Sequence, residues 1–233
     1  MENKVELIGF YGSDSIIAQS AWTSTNRELT EDKLNRVDSL LEMLWANGHH
    51  TPFEKGIVHF LVTSDIASHI HLLKHRISSL NAESARYKEL KEDKYYLPED
   101  WKHIIVTESV LTDEGLIYAS GEDSPDYTPE EWIDVLKNYT ELGNNLYHQC
   151  LKDLTPVLGR KRAKESARFF KTYNSQITCD VMFNMRSFAN FYKLRADEHA
   201  QVEIQFIAKE MLKLIKEIEG KPFNKTCQLI ENQ

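Results

Sequence analysis

The stretch KHRISSLNAESARY, residues 74–87, gathers basic and hydroxyl side chains in a chain whose formal net charge is −8. The basic ones are Lys74, His75, Arg76 and Arg86. General nucleic-acid binding needs a broad basic surface, so a local basic cluster in an acidic chain favours a small anionic ligand. The plainer alternative is a solvated helix face on which these charges meet only water.

A second polar cluster lies within residues 165–205, where Arg186 and Arg195 stand nine positions apart and Asn184 and Asn190 lie close by. Arginine presents a rigid fork of donors that matches phosphate or paired carbonyl oxygens, and asparagine pairs with amide-like edges. Unless these charges are surface groups, the two clusters together predict a ligand that carries phosphates and a heterocycle.

His71 and His75 stand four positions apart on a predicted helix, a spacing that suits a zinc ion. The segment HLLKH lacks the glutamate that would follow the first histidine and act as base. We therefore predict no metal site and keep a zinc hydrolase as an alternative. No glycine-rich dinucleotide motif or P-loop occurs, and no GxSxG surrounds Ser84.

Helices and strands must position these residues, and the hydrophobic pattern predicts both. Helices are predicted from the N-cap Thr30 to Gly48, from residue 66 through Ile77, from Pro129 to Leu151, and over 186–195 and 200–218. Strands are predicted over 4–12, 55–63 and 175–183, and residues 91–128 are predicted to be irregular. This pattern indicates an α+β fold in a single domain over residues 1–233.

The composition, with 41% hydrophobic and 27% charged residues, is ordinary for a globular protein with a core. No apolar run is long enough to cross a bilayer, and MENKVELIGFYG lacks the apolar core of a signal peptide. The three cysteines form neither a zinc spacing nor a disulfide framework. We expect a cytoplasmic protein that binds neither membrane nor nucleic acid.

Three motifs resemble those of the flavin-dependent thymidylate synthases. The family signature, Arg-His-Arg and then Ser after seven residues, appears as Lys74-His75-Arg76, ISSLNAE and Ser84. Upstream, GHHTPFE is similar to the family's Gly-His-x-(Thr/Ser)-Pro-x-Glu. Downstream, FNMRSFANFYKLRADEHAQVEIQ resembles the family's Asn-x-Arg-Ser-x-x-x-Phe-x-x-Leu-Arg segment and the helix after it. The match runs from roughly residue 4 to residue 216 and is weakest in 91–160.

The resemblance implies a mostly antiparallel sheet packed by long helices, assembled into a homotetramer whose active sites share residues from more than one chain. It also implies the reductive methylation of deoxyuridine monophosphate (dUMP) to thymidylate (dTMP). Methylenetetrahydrofolate gives the carbon, reduced FAD gives the hydride, and NADPH recharges the FAD. No cysteine falls in a matched motif, so we expect none to be catalytic.

Site residues follow from the resemblance, position by position. The matched cofactor-binding positions are His49, Thr51, Lys74, His75, Arg76, Ala82, Asn184, Met185, Arg186, Asn190 and His199. The matched substrate-binding positions are His71, Leu72, Leu73, Lys74, Ser84, Ala85, Arg86, Arg168 and Arg195, with Arg168 reaching the nucleotide phosphate from another subunit. Arg195 is the catalytic residue, because a guanidinium beside the N3–O2 edge of uracil favours the anionic form of the ring.

The chain departs from the family pattern at three positions. Lys74 replaces the usual arginine, His71 stands where glutamine is frequent, and Ala82 stands where glutamate or glutamine is usual. If this segment is helical, Glu83 points about 100° away from Ala82 and does not replace the carboxylate. A variant that hydroxymethylates dUMP and a non-catalytic flavin or nucleotide binder remain alternatives, beside the zinc hydrolase.

Overall fold

The computed structural model describes residues 2–107, 110–112, 115–117 and 130–233. The chain divides into two compact units, each made of several stretches of sequence. The first unit comprises residues 1–2, 65–67 and 83–177, and the second comprises residues 3–64, 68–82 and 178–233.

The described residues form strands, α-helices and short 3₁₀ turns. The strands are β1 (Lys4–Tyr11), β2 (Ile57–Asp65), β3 (Ser78–Ala82), β4 (Val110–Thr112), β5 (Gly115–Ile117) and β6 (Gln176–Asn184). The α-helices are α1 (Asp14–Trp22), α2 (Glu31–Leu34), α3 (Val37–Ala46), α4 (Ile66–Leu73), α5 (Trp132–Ala167), α6 (Met185–Arg195), α7 (Val202–Lys216) and α8 (Asn224–Glu231). Single 3₁₀ turns form at Thr51–Lys55, Glu99–Trp101 and Arg168–Phe170.

A four-stranded sheet has the order β1-β2-β6-β3, with β1 antiparallel to β2 and β3 antiparallel to β6. Helix α7 packs against β1 and α6. Its apolar stripe is buried at every predicted position: Ile204, Ile207, Ala208, Met211, Leu212 and Ile215. The predicted α+β fold with a mostly antiparallel sheet is confirmed, whereas the single domain over residues 1–233 stays a prediction.

One helix was expected from Thr30 to Gly48, but the chain forms two. Thr30 caps α2 as expected, accepting the Lys33 N–H at 3.4 Å. The helix breaks at Asn35 and Arg36, because none of the four α2 residues is buried whereas α3 begins with the buried Val37. Packing therefore holds α3 in place but gives α2 no reason to continue into it.

The expected helix through Ile77 is wrong at its end. Helix α4 stops at Leu73, Ile77 is 71% exposed, and Ser78–Ala82 form β3 on β6. Pairing with β6 overrides the helical spacing of the isoleucines. The 100° argument for Glu83 falls with the helix, because Ala82 is the last residue of β3 and Glu83 lies just beyond the strand.

The first unit is dominated by α5, which is interrupted at Gly159, where φ is +73° and ψ is 151°. Strands β4 and β5 pair antiparallel, so residues 91–128 are less irregular than predicted. Pro129 and the turn-like GEDSPDYTP segment lie outside the described residues. Among the described residues, no helix combines the length and the apolar character needed to span a bilayer.

Candidate functional site

A cavity of about 660 Å³ in the second unit brings the two sequence clusters together. We call it the basic cavity. Seven of the predicted site residues line it: Lys74, His75, Arg76, Asn184, Arg186, Asn190 and Arg195. The residues of the first cluster lie after α4, and those of the second lie on α6 or cap it. The fold therefore places side chains that are more than a hundred residues apart in sequence on one concave surface.

The junction of β6 and α6 fixes the position of the second cluster. Asn184 caps α6, and its Oδ1 accepts the Ser187 N–H at 2.8 Å. The Ser187 hydroxyl donates to the Asn184 carbonyl at 3.0 Å, and the Met185 N–H donates to the Gly56 carbonyl at 2.8 Å. These bonds anchor the first turn of α6, the turn that carries Arg186.

His75 and Arg195 form the centre of the cavity wall. The Arg195 Nε donates to the His75 Nε2 at 3.0 Å, and the His75 ring meets Phe191 edge-on at 5.0 Å. Burial, the Arg195 guanidinium and His71 together lower the pKa of His75 to about 4. His75 is therefore neutral at pH 7, its Nε2 accepts, and its proton resides on Nδ1.

The cations of the basic cavity are mostly free of carboxylates. The Arg186 Nη1 lies 2.6 Å from the Glu54 Oε1. Among the residues that the structure describes, Lys74, Arg76 and Lys193 form no ion pair. A concave surface with excess positive charge attracts a ligand with several negative charges.

Nine lining residues were missing from the sequence prediction, and four of them have aromatic or charged side chains. The rings of Trp45 and His50 are tilted by 35° with centroids 4.9 Å apart, and Glu54 and Lys193 add charges of opposite sign. Glu54 stands in the GHHTPFE motif and Lys193 stands inside the motif of α6, so their motif positions were the available signal.

Three expected flavin-side residues lie away from this wall. His49 and Thr51 are exposed, and His50 lines the cavity in place of His49. The side chain of His199 is 88% exposed and lies 3.8 Å from Glu198. For these residues, the cofactor role stays a prediction.

Four other expected residues are set by the core and by the edge of the sheet. The side chains of Leu72 and Met185 are fully buried in the hydrophobic core, which leaves their main chains for any ligand contact. Leu73 is 53% exposed at the end of α4. Ala82 pairs with Cys179 at the end of β3, the edge strand.

A second cavity, of about 280 Å³, lies in the first unit and is lined by Ser84, Ala85 and Arg168. We call it the Ser84 cavity. Glu83 and Lys171 also line it, and Glu83 pairs with Lys88 at 2.6 Å. The predicted nucleotide-binding stretch and the predicted phosphate-binding arginine thus share one surface.

Arg86, the third expected nucleotide residue in this stretch, is already paired. Its Nε donates to the Glu165 Oε1 at 2.7 Å, and Glu165 also lies 3.5 Å from Arg162. The hydrogen bond to Arg86 lowers the pKa of Glu165. Lys164 donates to the Tyr87 carbonyl at 2.7 Å, so several contacts hold residues 84–90 on α5.

The zinc alternative finds no support in the described residues. His71 lies on α4, whereas His75 lies beyond the end of that helix and binds Arg195. Within residues 2–107, 110–112, 115–117 and 130–233, no group of three or more histidine, cysteine or acidic side chains is arranged to hold a metal.

Known proteins are similar to this chain in both sequence and fold. The family model described as thymidylate synthase complementing protein matches residues 6–219. The chain belongs to this family. The flavin-dependent thymidylate synthase of Kosmotoga olearia is 31% identical over 212 residues, 91% of this chain and 84% of that protein. The enzyme of the same name from Thermosipho melanesiensis is 30% identical over 213 residues, 91% of this chain and 85% of that protein.

A solved structure agrees at the level of the fold. The UMP/dUMP methylase PolB from Streptomyces cacaoi, bound with 5-Br dUMP, matches with a TM-score of 0.76 and 23% identity. The match covers 99% of this chain and 95% of that one. Together with the family match, the curated relatives confirm the prediction of an enzyme of the flavin-dependent thymidylate synthase kind.

The basic cavity fits the cofactor for which the family's enzymes are named. Its volume lies within the range of small-molecule sites, about 300–1,000 Å³. Arg76, Arg186 and Lys74 suit the phosphates of a flavin nucleotide, and the amides of Asn184 and Asn190 suit the edge of a heterocycle. Trp45 and His50 add aromatic surface.

Proposed function

We propose that this protein converts dUMP to dTMP, using FAD as cofactor and methylenetetrahydrofolate and NADPH as co-substrates. The observation that carries the proposal is the Arg195–His75 pair in a cavity lined by cations and amides. The family match and the two relatives named flavin-dependent thymidylate synthase support the same reaction. The 5-Br dUMP bound to PolB supports a uracil nucleotide as substrate.

Lys74, Arg76 and Arg186 would hold the phosphates of FAD, and Asn184 and Asn190 would bind its ring edge. FAD, once reduced and bound, supplies the hydride for uracil. The unpaired state of Lys74 and Arg76 supports this assignment, because a bound phosphate would not have to displace a protein carboxylate from them. Arg186 keeps Glu54 as a partner and would share its donors between the carboxylate and the ligand.

Arg195 would polarise the uracil ring. Its Nε donates to the neutral His75, and the four N–H groups on its two terminal nitrogens have no partner among the described residues. A guanidinium with these donors would stabilise negative charge on the O2 and N3 of uracil, which makes C6 a better hydride acceptor. His75 acts as a positioning residue, because its neutral ring accepts from Arg195 and leaves the positive charge whole.

Ser84, Ala85, Arg86 and Arg168 would bind the nucleotide. Ser84 offers a hydroxyl, and Arg168 offers a guanidinium without an ion-pair partner among the described residues. We propose the family's homotetramer as well, with Arg168 reaching the phosphate of a nucleotide bound by a neighbouring subunit. A cytoplasmic location fits the three free cysteines.

Anaerobic turnover tests the proposed function. We expect the purified protein to carry FAD and to form dTMP only when dUMP, methylenetetrahydrofolate and NADPH are all present. Arg36→Ala, a substitution outside the two cavities, serves as the control. A flavin-free protein that fails to take up FAD would refute the proposal, and 5-hydroxymethyl-dUMP as the product would establish the hydroxymethylating alternative.

Mixed subunits test the shared site. We expect Arg168→Ala and Arg195→Ala, each impaired alone, to regain part of the activity when combined in verified mixed tetramers. Restoration requires that some sites take both intact residues from different chains. Absence of activity in such tetramers would show that each site is built from one chain.

A further inference from the structure

A third cavity, of about 460 Å³, lies in the second unit outside the predicted site residues. Tyr11 at the end of β1, Ser20 on α1, and Thr23, Arg27 and Lys55 line it. We call it the Tyr11 cavity. Of its lining residues only Glu54 stands in one of the three motifs, so the sequence did not point to this cavity.

Two unpaired cations mark the cavity as a site for an anion. Neither Arg27 nor Lys55 makes an ion pair with any residue that the structure describes, although acidic residues outnumber basic ones by 36 to 28 in this chain. Ser20 and Thr23 place two hydroxyls beside them. Hydroxyls and unpaired cations on one concave wall are the donors that carboxylates and phosphates require.

The cavity also offers surface for a planar ring. Tyr11 is 63% exposed, and Ile16 and Ile57 line the same cavity. An exposed tyrosine ring beside aliphatic side chains provides a stacking face that a purely ionic ligand does not need. The cavity therefore suits a ligand that has both an aromatic part and a charged part.

Glu54 connects this cavity with the basic cavity. It lines both, and its carboxylate holds Arg186 on the basic-cavity side. A ligand in the Tyr11 cavity thus lies against the same wall residue as a ligand in the basic cavity. Reacting atoms must approach to about 3–3.5 Å, so a donor molecule that reacts in the basic cavity needs a neighbouring surface for its remainder.

We propose that the Tyr11 cavity binds the polyanionic end of a ring-bearing co-substrate, with Arg27 and Lys55 as the anion-binding residues. The inference rests on the proposed function, which supplies two molecules of this chemistry. One is a reduced folate with a glutamate tail, and the other is a reduced nicotinamide dinucleotide with phosphates.

Direct binding to the flavin-loaded protein tests the proposal without turnover. The probes are tetrahydrofolate with one and with five glutamates, and NADPH and NADH, titrated by calorimetry. We expect Arg27→Gln combined with Lys55→Gln to weaken the binding of either pentaglutamyl tetrahydrofolate or NADPH by about tenfold or more. This is the size of effect expected when charged hydrogen bonds are lost. The probe whose affinity falls identifies the source of the anion.

The matched control is Arg36→Gln combined with Lys209→Gln, which removes the same charges from exposed positions of the same unit. We expect wild-type affinities in this control. Only the variant at Arg27 and Lys55 should show a smaller preference for five glutamates over one, or for NADPH over NADH. Tyr11→Leu should weaken the same probe by a few fold, because only the ring contact is lost.

Three outcomes overturn the inference. The first is unchanged affinity for both probes in the Arg27 and Lys55 variant, and the second is no binding of either probe to the wild type. The third is loss of FAD from that variant, which would assign the cavity to the flavin itself. Failure of the proposed function is a separate result, because it appears as a wild-type protein that binds the probes but forms no dTMP.

Discussion

Arginines lie in or beside both the basic cavity and the Ser84 cavity, but the partners of the cations differ between the two. In the basic cavity, Arg195 donates a hydrogen bond to the neutral imidazole of His75. Beside the Ser84 cavity, Arg86 already has Glu165 as its partner, and Lys171 is bound to Asp93 at 2.6 Å with only 4% of its side chain exposed. One site presents positive charge to a ligand, whereas much of the charge around the other stabilises the protein itself.

This difference teaches how to weigh a cation in a candidate site. A ligand that approaches an unpaired arginine gains the whole interaction, but one that approaches a paired arginine must displace a carboxylate. Both cations are arginines, and both stand in stretches that match the family's motifs. What differs is whether the fold places a carboxylate beside the arginine. Substitutions can measure how much that carboxylate changes ligand binding.

The largest effect is expected for Arg195→Ala in the basic cavity. We expect the oxidation of reduced flavin by dUMP to slow by about a hundredfold or more, because the charge assigned to the uracil ring is lost and its hydrogen-bond partner His75 is neutral at pH 7. Stopped-flow absorbance of the flavin measures the rate. Arg195→Lys should recover part of it, and an unchanged rate in Arg195→Ala would remove this arginine from the chemistry.

A smaller and divided effect is expected at the Ser84 cavity. Arg168→Ala should weaken dUMP binding by about ten- to a hundredfold, the range for a charged hydrogen bond, whereas Arg86→Ala should cost about tenfold or less. Removing the competing carboxylate by Glu165→Gln should tighten binding through Arg86. Calorimetry with dUMP measures all three. Equal losses in both arginine variants, with no change in Glu165→Gln, would abolish the distinction between paired and unpaired cations.

The pH dependence of stability should separate the two regions further. The pKa of His75 is lowered to about 4, so between pH 6.5 and 4 the unfolded chain binds a proton that the folded chain does not. The free energy of unfolding should fall by about 1 kcal/mol as the pH decreases across this window, after allowance for solvent screening. Urea unfolding measures it, and His75→Gln should flatten the dependence.

Asp93, in the first unit, responds in a lower window. Burial alone would raise its pKa, but hydrogen bonds from Lys171 and His148 outweigh burial and lower it. Its stabilising effect is complete above the ordinary aspartate pKa and is lost only as the pH falls through the lowered value. A stability profile that is flat from pH 6.5 to 4 in the wild type would contradict the assignment of the upper window to His75.

The smallest effect is expected from the cysteines. Burial raises the pKa of both Cys179 and Cys227 to about 12, so neither is a thiolate nucleophile at neutral pH. Replacing these two and Cys150 with serine should leave turnover within a few fold in protein that is folded and flavin-loaded. Dependence of activity on a thiol in such protein would indicate a different mechanism from the one assigned to Arg195.

Local patterns predicted the elements well where packing and local preference agree. The cap at Thr30 and the buried stripe of α7 follow from the sequence alone. The strand at Ser78–Ala82 did not, because its cause is pairing with β6, about a hundred residues away in sequence. The predicted helix reached Ile77 for the same reason: spacing of apolar residues carries no information about a distant partner.

The sequence predicted seven of the residues that line the basic cavity, but not their connections. Motif resemblance supplied Arg186 and Arg195, and both line the basic cavity. The pairing of Arg186 with Glu54 and of Arg86 with Glu165 depends on which side chains the fold brings within hydrogen-bond distance. The Tyr11 cavity was missed altogether, because tyrosine, arginine and lysine at unrelated positions form no motif.

Gly56 adds a consequence for anyone who would transplant this site onto another scaffold. A Cβ at this position would lie 2.7 Å from the Met185 Cγ and 2.8 Å from the Phe223 ring, and the Gly56 carbonyl receives the N–H of Met185. Gly56 has no side chain that could contact a ligand, but the absence of a Cβ leaves room for Met185 at the start of α6. A graft that copied every charged group but placed a larger residue at this position would displace Met185 and its neighbour Arg186. The glycine must therefore be transferred together with the charged residues.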